Sequence, residues 1–254
     1  MNTAELLIKC LENEGVKYIF GLPGEENLNI LEALKNSSIQ FITTRHEQGA
    51  AFMADVYGRL TGKAGVCLST LGPGATNLMT GVADANLDGA PLVAITGQVG
   101  TDRMHIESHQ YLDLVAMFSP VTKWNAQILR PSNTPEIVRK AFKVAQQEKP
   151  GAIHIDLPEN IAAMSVEGKP LKQDKREKSY SAYQSMTEAA VAISKAKNPM
   201  ILVGNGALRG NASEIVTEFA TRLNIPVANT FMGKGVIPYT HPLSLWTTGL
   251  QQRD

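Results

Sequence analysis

The sequence predicts an α/β protein built on a parallel sheet that carries helices on both faces. Short apolar segments typical of buried strands recur along the chain, and amphipathic helical patterns lie between most of them. Strand–helix–strand repetition at this spacing requires crossover connections, which place the helices on both faces of the sheet. Hydrophobic residues make up 43% of the chain and charged residues 19%, which suits a large buried core.

The individual elements follow from local patterns. Asn2 and Glu5 form a capping pair that begins the first helix, and Gly15 ends it. The predicted strands are Lys17–Phe20, Ile39–Thr43, Ala64–Ser69, Pro91–Thr96 and Gly151–Leu157. The predicted helices between them are Asn27–Lys35, His46–Thr61, Ala75–Leu87 and Pro135–Gln147.

A charged stretch separates this first part of the chain from a second α/β unit. Eight of the twelve residues Glu167–Lys178 are charged, which predicts an exposed linker. The second unit is predicted to contain helices Thr187–Ala196 and Ala212–Leu223, strands Met200–Val203 and Pro226–Asn229, and a turn at Gly204, Gly206 and Gly210. Two strands are fewer than the ~4–6 of an ordinary sheet, so we expect the front part of a longer protein.

Composition and charge exclude several functions. The 24 basic residues equal the 24 acidic residues, which argues against a nucleic-acid or anionic-membrane partner. No apolar run reaches the ~20 residues of a membrane span, and the start does not resemble a secretion signal. Cys10 and Cys67 lie in apolar contexts and predict neither a disulfide scaffold nor a zinc site. The chain is therefore expected to be soluble and cytoplasmic.

Glu47 is the strongest candidate for a chemical role. It follows the strand Ile39–Thr43, at the sheet edge where open α/β folds bind ligands. Small residues share its helix face, namely Ala50, Ala51, Ala54 and Gly58. Such a face packs closely and predicts a buried carboxylate able to hold or deliver a proton. The alternative, which the spacing leaves open, is that Glu47 only favours the helix dipole or pairs with Arg45.

Two glycine-containing loops follow other predicted strands, at Gly21–Asn27 and Ser69–Asn77. Glycines let a ligand approach the backbone, and the second loop precedes a helix N-terminus with free N–H groups. That loop lacks the Gly-Lys-Ser/Thr ending of a nucleoside-triphosphate loop. Each loop alone is weak evidence, but three loops at one sheet edge, including the one before Glu47, predict a binding crevice.

Two other motifs offer alternative sites. His105 and His109, with Glu107 between them, could bind a metal if they lay on one helix face. Their order differs from the metalloprotease motif, which favours ordinary solvated or core histidines. The glycines from Gly204 to Gly210 resemble a dinucleotide fingerprint whose last interval is one residue too long, so a tight turn is favoured.

Four segments together resemble the thiamine-diphosphate enzymes, and within that family the acetolactate synthases. They are Phe20–Gly24, Arg45–Ala51, Gly72–Asn77 and the stretch from Pro150-Gly151 to Asp156-Leu157-Pro158, in the order in which the family has them. The second and third segments are highly specific, and the resemblance covers essentially the whole chain. It favours the chemical role of Glu47 over the alternatives.

The resemblance also implies a domain organisation. Residues 1–165 would form a flavodoxin-like, doubly wound domain that binds the cofactor's pyrimidine, 166–184 a charged linker, and 185–254 an incomplete central domain. A third domain, absent from this sequence, would hold the diphosphate and Mg²⁺. No Gly-Asp-Gly…Asn-Asn motif is found, so metal ligands are not expected in this chain.

The resemblance assigns roles to five residues. Glu47 would hydrogen-bond the pyrimidine N1′ of thiamine diphosphate and stabilise its imino form, and it would be catalytic together with Gln110 at the substrate end. The family has an aromatic residue before that glutamine, where this chain has His109. The pyrimidine pocket would be lined by Gly24, Pro73 and Asn77.

The activity implied is decarboxylation of pyruvate and ligation of the product to a second 2-keto acid, in branched-chain amino acid or acetoin formation. The alternatives are another thiamine-diphosphate 2-keto-acid decarboxylase or acyl transferase and, in a different class, a catalytically inert fragment. Because the family binds its cofactor between two subunits, a homodimer or homotetramer is implied, with a possible regulatory subunit. One branch contacts FAD through an arginine where this chain has Lys149, which argues against FAD without excluding it.

Overall fold

The computed structural model describes residues 1–173 and 181–249. The chain divides into two compact units, with the boundary between residues 175 and 176. Residues 174–180, which belong to the predicted linker 166–184, and residues 250–254 lie outside the described part. The predicted domain limits remain predictions.

The first unit contains a sheet of six parallel strands. They are β1 (Tyr18–Gly21), β2 (Gln40–Thr43), β3 (Gly65–Ser69), β4 (Leu92–Gln98), β5 (Trp124–Gln127) and β6 (Ala152–Pro158). Their order across the sheet is β2-β1-β3-β4-β6-β5. In this register Gly21 lies opposite Thr43 on one side and Leu68 on the other, so β1, β2 and β3 end at the same edge. The predicted parallel sheet is confirmed.

Helices cover both faces of this sheet. They are α1 (Thr3–Asn13), α2 (Leu28–Leu34), α3 (Glu47–Thr61), α4 (Gly72–Asp88), α5 (Leu114–Phe118), α6 (Thr134–Gln146) and α7 (Glu159–Ala163). One apolar cluster joins α1, α2, α6 and α7 to one face, and a second joins α3, α4 and α5 to the other. The doubly wound arrangement is therefore confirmed, although α5, α7 and β5 were not predicted.

The strand order places a crevice at the carboxyl ends of β1, β2 and β3. The chain leaves β1 for β2 on one side, then crosses back through α3 to β3 on the other side. This reversal is the switch point at which open α/β sheets bind ligands, because the loops diverge there. All three loops selected from the sequence lie at this edge.

Helix α3 packs closely on its surroundings through small residues. Its face with Ala50, Ala51, Ala54 and Gly58 is buried, as predicted. A Cβ on Gly81 of α4 would lie 2.6 Å from the Cβ of Ala51, so the two helices approach where both residues are small.

An ion-pair cluster connects the far ends of α3 and α4. The Arg59 guanidinium pairs with Asp55 at 2.9 Å, Asp84 at 2.6 Å and Asp88 at 2.8 Å. Asp55 and Arg59 belong to α3, whereas Asp84 and Asp88 belong to α4. Because the guanidinium uses different nitrogens for the three carboxylates, it fixes the two helices relative to each other.

The second unit is smaller. Its parallel strands β7 (Ile201–Val203), β8 (Val227–Asn229) and β9 (Ser244–Thr247) occur with helices α8 (Tyr183–Lys195), α9 (Asn205–Arg209) and α10 (Ser213–Leu223). Strand β9 adds a third strand to the two expected from the sequence. The predicted turn after β7 is wrong, because Asn205–Arg209 forms a short helix whose N-cap is Gly204. Among residues 1–173 and 181–249, no helix is long and apolar enough to cross a membrane.

Candidate active site

Glu47 is the first residue of α3, and its side chain reaches the crevice. Only 8% of the residue is exposed, which confirms the predicted burial. His46 caps the helix, since its Nδ1 accepts a hydrogen bond from the Gln48 N–H at 3.1 Å. Before the helix, the Thr44 N–H donates to the Gly21 carbonyl at 2.9 Å and extends the pairing of β1 with β2. The buried face of α3 and the His46 cap at its N-terminus therefore fix the position of the carboxylate.

The Glu47 carboxylate has two differently placed oxygens. Oε2 accepts a hydrogen bond from Asn77 Nδ2 of α4 at 2.9 Å. Oε1 faces Gly74, where an added Cβ would lie 3.4 Å away. Within residues 1–173 and 181–249 no side chain or backbone N–H donates to Oε1, and Arg45 lies exposed. The hypothesis of a pair between Glu47 and Arg45 is therefore not supported, and one acceptor faces the glycine loop.

Two of the glycines let the loops of the crevice pack closely against Thr70. A Cβ on Gly24 would lie 2.2 Å from Thr70 Cγ2, and a Cβ on Gly74 would lie 2.7 Å from Thr70 Oγ1. Neither loop could approach Thr70 this closely with a larger residue. The buried Asn27 side chain fixes the first loop, since it accepts from the Gly24 N–H and donates to the Leu22 carbonyl, both at 3.0 Å.

The remaining predicted residues lie at the same edge. Pro73 is exposed at the start of α4, directly after Gly72, whose φ is +51°. Asn77 is half-buried, one helical turn further along α4. Gln110 is exposed with a φ of 57°, and a Cβ on Gly72 would lie 2.6 Å from its carbonyl oxygen. The fold thus brings Gly24, Glu47, Pro73 and Asn77 together and places the Gln110 backbone against α4.

The histidine segment does not form the helix that a metal site would need. His105 and His109 lie in a loop, and the His105 ring contacts Tyr111, whose hydroxyl is 3.3 Å from Nδ1. In the part of the chain that the structure describes, no group of three or more His, Cys, Asp and Glu side chains could hold a metal ion. The metal-module alternative therefore gains no support.

A second buried carboxylate, which was not predicted as part of a polar centre, belongs to Asp156 of β6, opposite Thr96 of β4. Asp156 Oδ1 accepts from the Thr96 hydroxyl at 2.7 Å, and Oδ2 accepts from Gln127 Nε2 at 2.6 Å. Gln98 Nε2 approaches Oδ2 at 3.5 Å. Burial raises the pKa of Asp156 to about 6 despite these donors.

His154 extends this cluster. Its Nε2 lies 2.9 Å from the Thr96 hydroxyl oxygen, and its ring stacks on Phe118 with the centroids 4.0 Å apart. Burial lowers the pKa of His154 to about 3, so the ring is neutral near pH 7. Because the Thr96 hydroxyl donates its single proton to ionised Asp156, His154 Nε2 must carry the proton that it shares with Thr96.

Two site residues could have been found from the sequence. Thr70 directly follows β3 in the loop before Gly72, and Asn27 lies three residues after Gly24, the spacing at which a side-chain amide can fix a turn. The Asp156 cluster had a weaker signal. In the segment His154-Ile155-Asp156, polar residues alternate with an apolar one, which indicates a strand with one polar face.

Two family models match the chain. The model described as the N-terminal TPP binding domain of thiamine pyrophosphate enzymes matches residues 1–117, and the one described as their central domain matches residues 186–254. The chain belongs to the thiamine pyrophosphate enzyme family. The resemblance stated from the four sequence segments is therefore confirmed, and the crevice lies in the domain that binds the cofactor in this family.

Individual relatives agree with the family models. A probable acetolactate synthase large subunit of Methanocaldococcus jannaschii is 43% identical over 98% of this chain and 44% of its own length. The acetolactate synthase isozyme 1 large subunit of Escherichia coli is 37% identical over 97% of this chain and 44% of its own length. The acetolactate synthase large subunit of Corynebacterium glutamicum is 36% identical over 98% of this chain and 41% of its own length. The chain thus spans less than half the length of these curated relatives.

Proposed function

We propose that this chain supplies the pyrimidine-binding part of an acetolactate synthase, an enzyme that decarboxylates pyruvate and joins the product to a second 2-keto acid. The observation that carries the proposal is the buried Glu47 carboxylate, whose Oε2 is held by Asn77 and whose Oε1 faces a glycine crevice. The names of the relatives, all acetolactate synthases, support the choice of reaction.

The residues of the crevice fit the aminopyrimidine ring of thiamine diphosphate. An added Cβ on Gly74 would lie 3.4 Å from Glu47 Oε1, so this glycine keeps the approach to the oxygen free of a side chain, as a planar ring requires. A protonated ring nitrogen or an amino group needs an acceptor, and Glu47 Oε1 supplies one. Pro73, exposed at the start of α4, offers an apolar edge to the ring.

Glu47 is the residue that moves a proton in this proposal. Its carboxylate would hold a proton shared with the ring nitrogen N1′ of the cofactor, and the low exposure of Glu47 would limit competition from water. Asn77 orients the carboxylate by its hydrogen bond to Oε2. When bound, thiamine diphosphate supplies the electron sink for decarboxylation of a 2-keto acid. Gln110 is exposed at the same edge, and the proposal assigns it to the substrate end.

Magnesium belongs to the proposal as the ion that binds the cofactor's diphosphate, with ligands outside the residues described. FAD gains no support from Lys149, because its ammonium donates to the Leu87 carbonyl at the end of α4 at 3.0 Å. A reducing, cytoplasmic location is supported by Cys10 and Cys67, which are both free and buried.

A homo-oligomer is supported by the outward face of α3. This face, opposite the buried alanines, exposes Phe52, Met53, Val56 and Leu60. Contiguous exposed apolar side chains on one helix are typical of a protein interface. A second subunit on this face would lie beside the helix that carries Glu47.

Product analysis tests the proposal. The full-length protein that contains this chain should form acetolactate from pyruvate when thiamine diphosphate and Mg²⁺ are supplied, as measured by chiral gas chromatography. Acetaldehyde as the main product would favour the decarboxylase alternative, and formation of neither compound would contradict the proposal. Omission of thiamine diphosphate is the control, and it should abolish the product.

A further inference from the structure

The segment 99–113 carries Gln110 from β4 to α5, and α7 fixes its beginning. The Gly100 N–H donates to Glu159 Oε1 at 3.3 Å, and the Thr101 N–H donates to Asn160 Oδ1 at 3.1 Å. These bonds hold only the beginning of the segment. Other contacts must hold its later part, which includes Gln110.

Gln98, the last residue of β4, holds the end of the segment. Its Nε2 donates to the Leu112 carbonyl at 3.1 Å, and its Oε1 accepts from the Val99 N–H at 3.1 Å. The side chain is buried, with 1% exposure. One amide thus joins the end of the strand to a backbone carbonyl two residues beyond Gln110.

Asp156 fixes which way the Gln98 amide points. Its Oδ2 lies 3.5 Å from Gln98 Nε2 and accepts a second bond from Gln127. If the Gln98 amide were reversed, its oxygen would face the carboxylate and the Leu112 carbonyl, two acceptors without a donor between them. This arrangement is unfavourable in a buried site, so the observed orientation is the stable one.

The backbone of Gln110 also packs against Gly72, the first residue of α4. An added Cβ on Gly72 would lie 2.6 Å from the Gln110 carbonyl oxygen and 2.8 Å from its Cβ. Gly72 begins α4, the helix that carries Asn77 towards Glu47. Gln110 therefore rests on the start of the helix that forms the crevice, and the bond at Leu112 keeps it there.

We propose that Gln98, oriented by Asp156, is a positioning residue that holds Gln110 against α4 and so sets the substrate end of the crevice. The proposal rests on the function proposed above for the crevice. Within residues 1–173 and 181–249 the Gln98 side chain forms no hydrogen bond with Glu47 or with the glycine loops, so its effect is expected on the substrate and not on cofactor binding.

The test compares Gln98→Met with Gln127→Met in the full-length protein. Both variants remove one donor to Asp156, but only Gln98→Met removes the bond to Leu112. We expect amide hydrogen exchange in the segment 104–112 to rise about three- to ten-fold in Gln98→Met, the range for losing one net hydrogen bond, and to stay unchanged in Gln127→Met. The KM for pyruvate should rise by a similar factor, with the Kd of thiamine diphosphate unchanged. Gln98→Ala, which cannot overpack, replaces the methionine variant if that variant does not fold.

Each outcome decides one part of the proposal. Unchanged exchange in the Gln98 variants, or an equal increase in Gln127→Met, overturns the anchoring role. Faster exchange with an unchanged KM overturns the positioning of the substrate end. A wild-type protein that binds thiamine diphosphate but leaves pyruvate unchanged contradicts the proposed reaction, and the exchange experiment still decides the anchoring role without it.

Discussion

Glu47 and Asp156 are two buried carboxylates at the same edge of one sheet, but their surroundings differ. Glu47 accepts one hydrogen bond, from half-buried Asn77, and its second oxygen faces Gly74. Asp156 accepts bonds from Thr96 and Gln127 on its two oxygens and lies near the Gln98 amide as well.

The difference distinguishes a ligand site from a structural one. A buried carboxylate costs free energy unless donors satisfy it, and protein groups satisfy Asp156. Glu47 lacks a protein donor on Oε1 within the described residues, so this oxygen can accept a hydrogen bond from a bound ligand. Satisfaction by donors, and not burial alone, therefore indicates which of the two carboxylates belongs to an active site.

The largest expected effect is on turnover in Glu47→Gln. The amide cannot exchange a proton with the cofactor's ring, so acetolactate formation by the full-length protein should fall by about 10²–10⁴-fold, the contribution of a general acid or base. Steady-state kinetics at saturating thiamine diphosphate measures this loss.

Glu25→Gln is the matched control, because Glu25 lies exposed at the same sheet edge. It should retain wild-type turnover, and both variants should keep the wild-type circular dichroism spectrum. Wild-type turnover in Glu47→Gln would show that the unsatisfied oxygen has no chemical role and would remove the basis of the comparison.

For the free energy of unfolding, in contrast to turnover, loss of Asp156 should have a larger effect than loss of Glu47. Asp156→Ala leaves the donors of Thr96 and Gln127 unsatisfied around a cavity, so the free energy of unfolding should fall by about 2–4 kcal/mol. Glu47→Ala breaks a single bond to half-buried Asn77 and should cost about 1 kcal/mol or less. Urea unfolding followed by tryptophan fluorescence measures both values, since Trp124 lies on β5, next to β6. Equal losses in the two variants would contradict the distinction drawn here.

The smallest expected effect is a change in the pH dependence of stability. Because burial lowers the pKa of His154 to about 3, the unfolded state binds a proton near its ordinary pKa of 6.5 while the folded state does not. Stability therefore falls as the pH drops from about 6.5 towards 3. Asp156 has the opposite effect on stability. Because its pKa is raised to about 6, the folded state takes up a proton before the unfolded state does, and this contribution to stability rises as the pH falls.

His154→Gln separates the two contributions. The glutamine can still donate to Thr96 but does not titrate, so the variant should gain about 1 kcal/mol per pH unit relative to the wild type as the pH falls below 6.5. Unfolding free energies of both proteins at pH 7, 6 and 5 test this. A constant difference between them across this range would show that the buried ring does not stay neutral on acidification.

Much of this fold could be predicted from the sequence, and the omissions have physical causes. Five strands of the first sheet could be predicted, including β6 although His154 and Asp156 interrupt its apolar residues, whereas β5 was missed because two of its four residues, Asn125 and Gln127, are polar. Those side chains bond to the Val115 carbonyl and to Asp156, in a polar layer that replaces ordinary apolar burial. Glu47 could be selected because small residues share its helix face. The Asp156 cluster joins residues up to 60 positions apart, and local patterns do not reveal such contacts.

The Arg59 cluster sets a limit on the length of α3. Arg59 ties one end of the helix to α4, and Glu47 meets Asn77 of the same partner helix twelve residues earlier. Inserting one residue between them would turn the carboxylate by about 100° around the helix axis, away from Asn77. Natural variants of this segment should therefore conserve the number of residues from the acid to the guanidinium, even where residue types change.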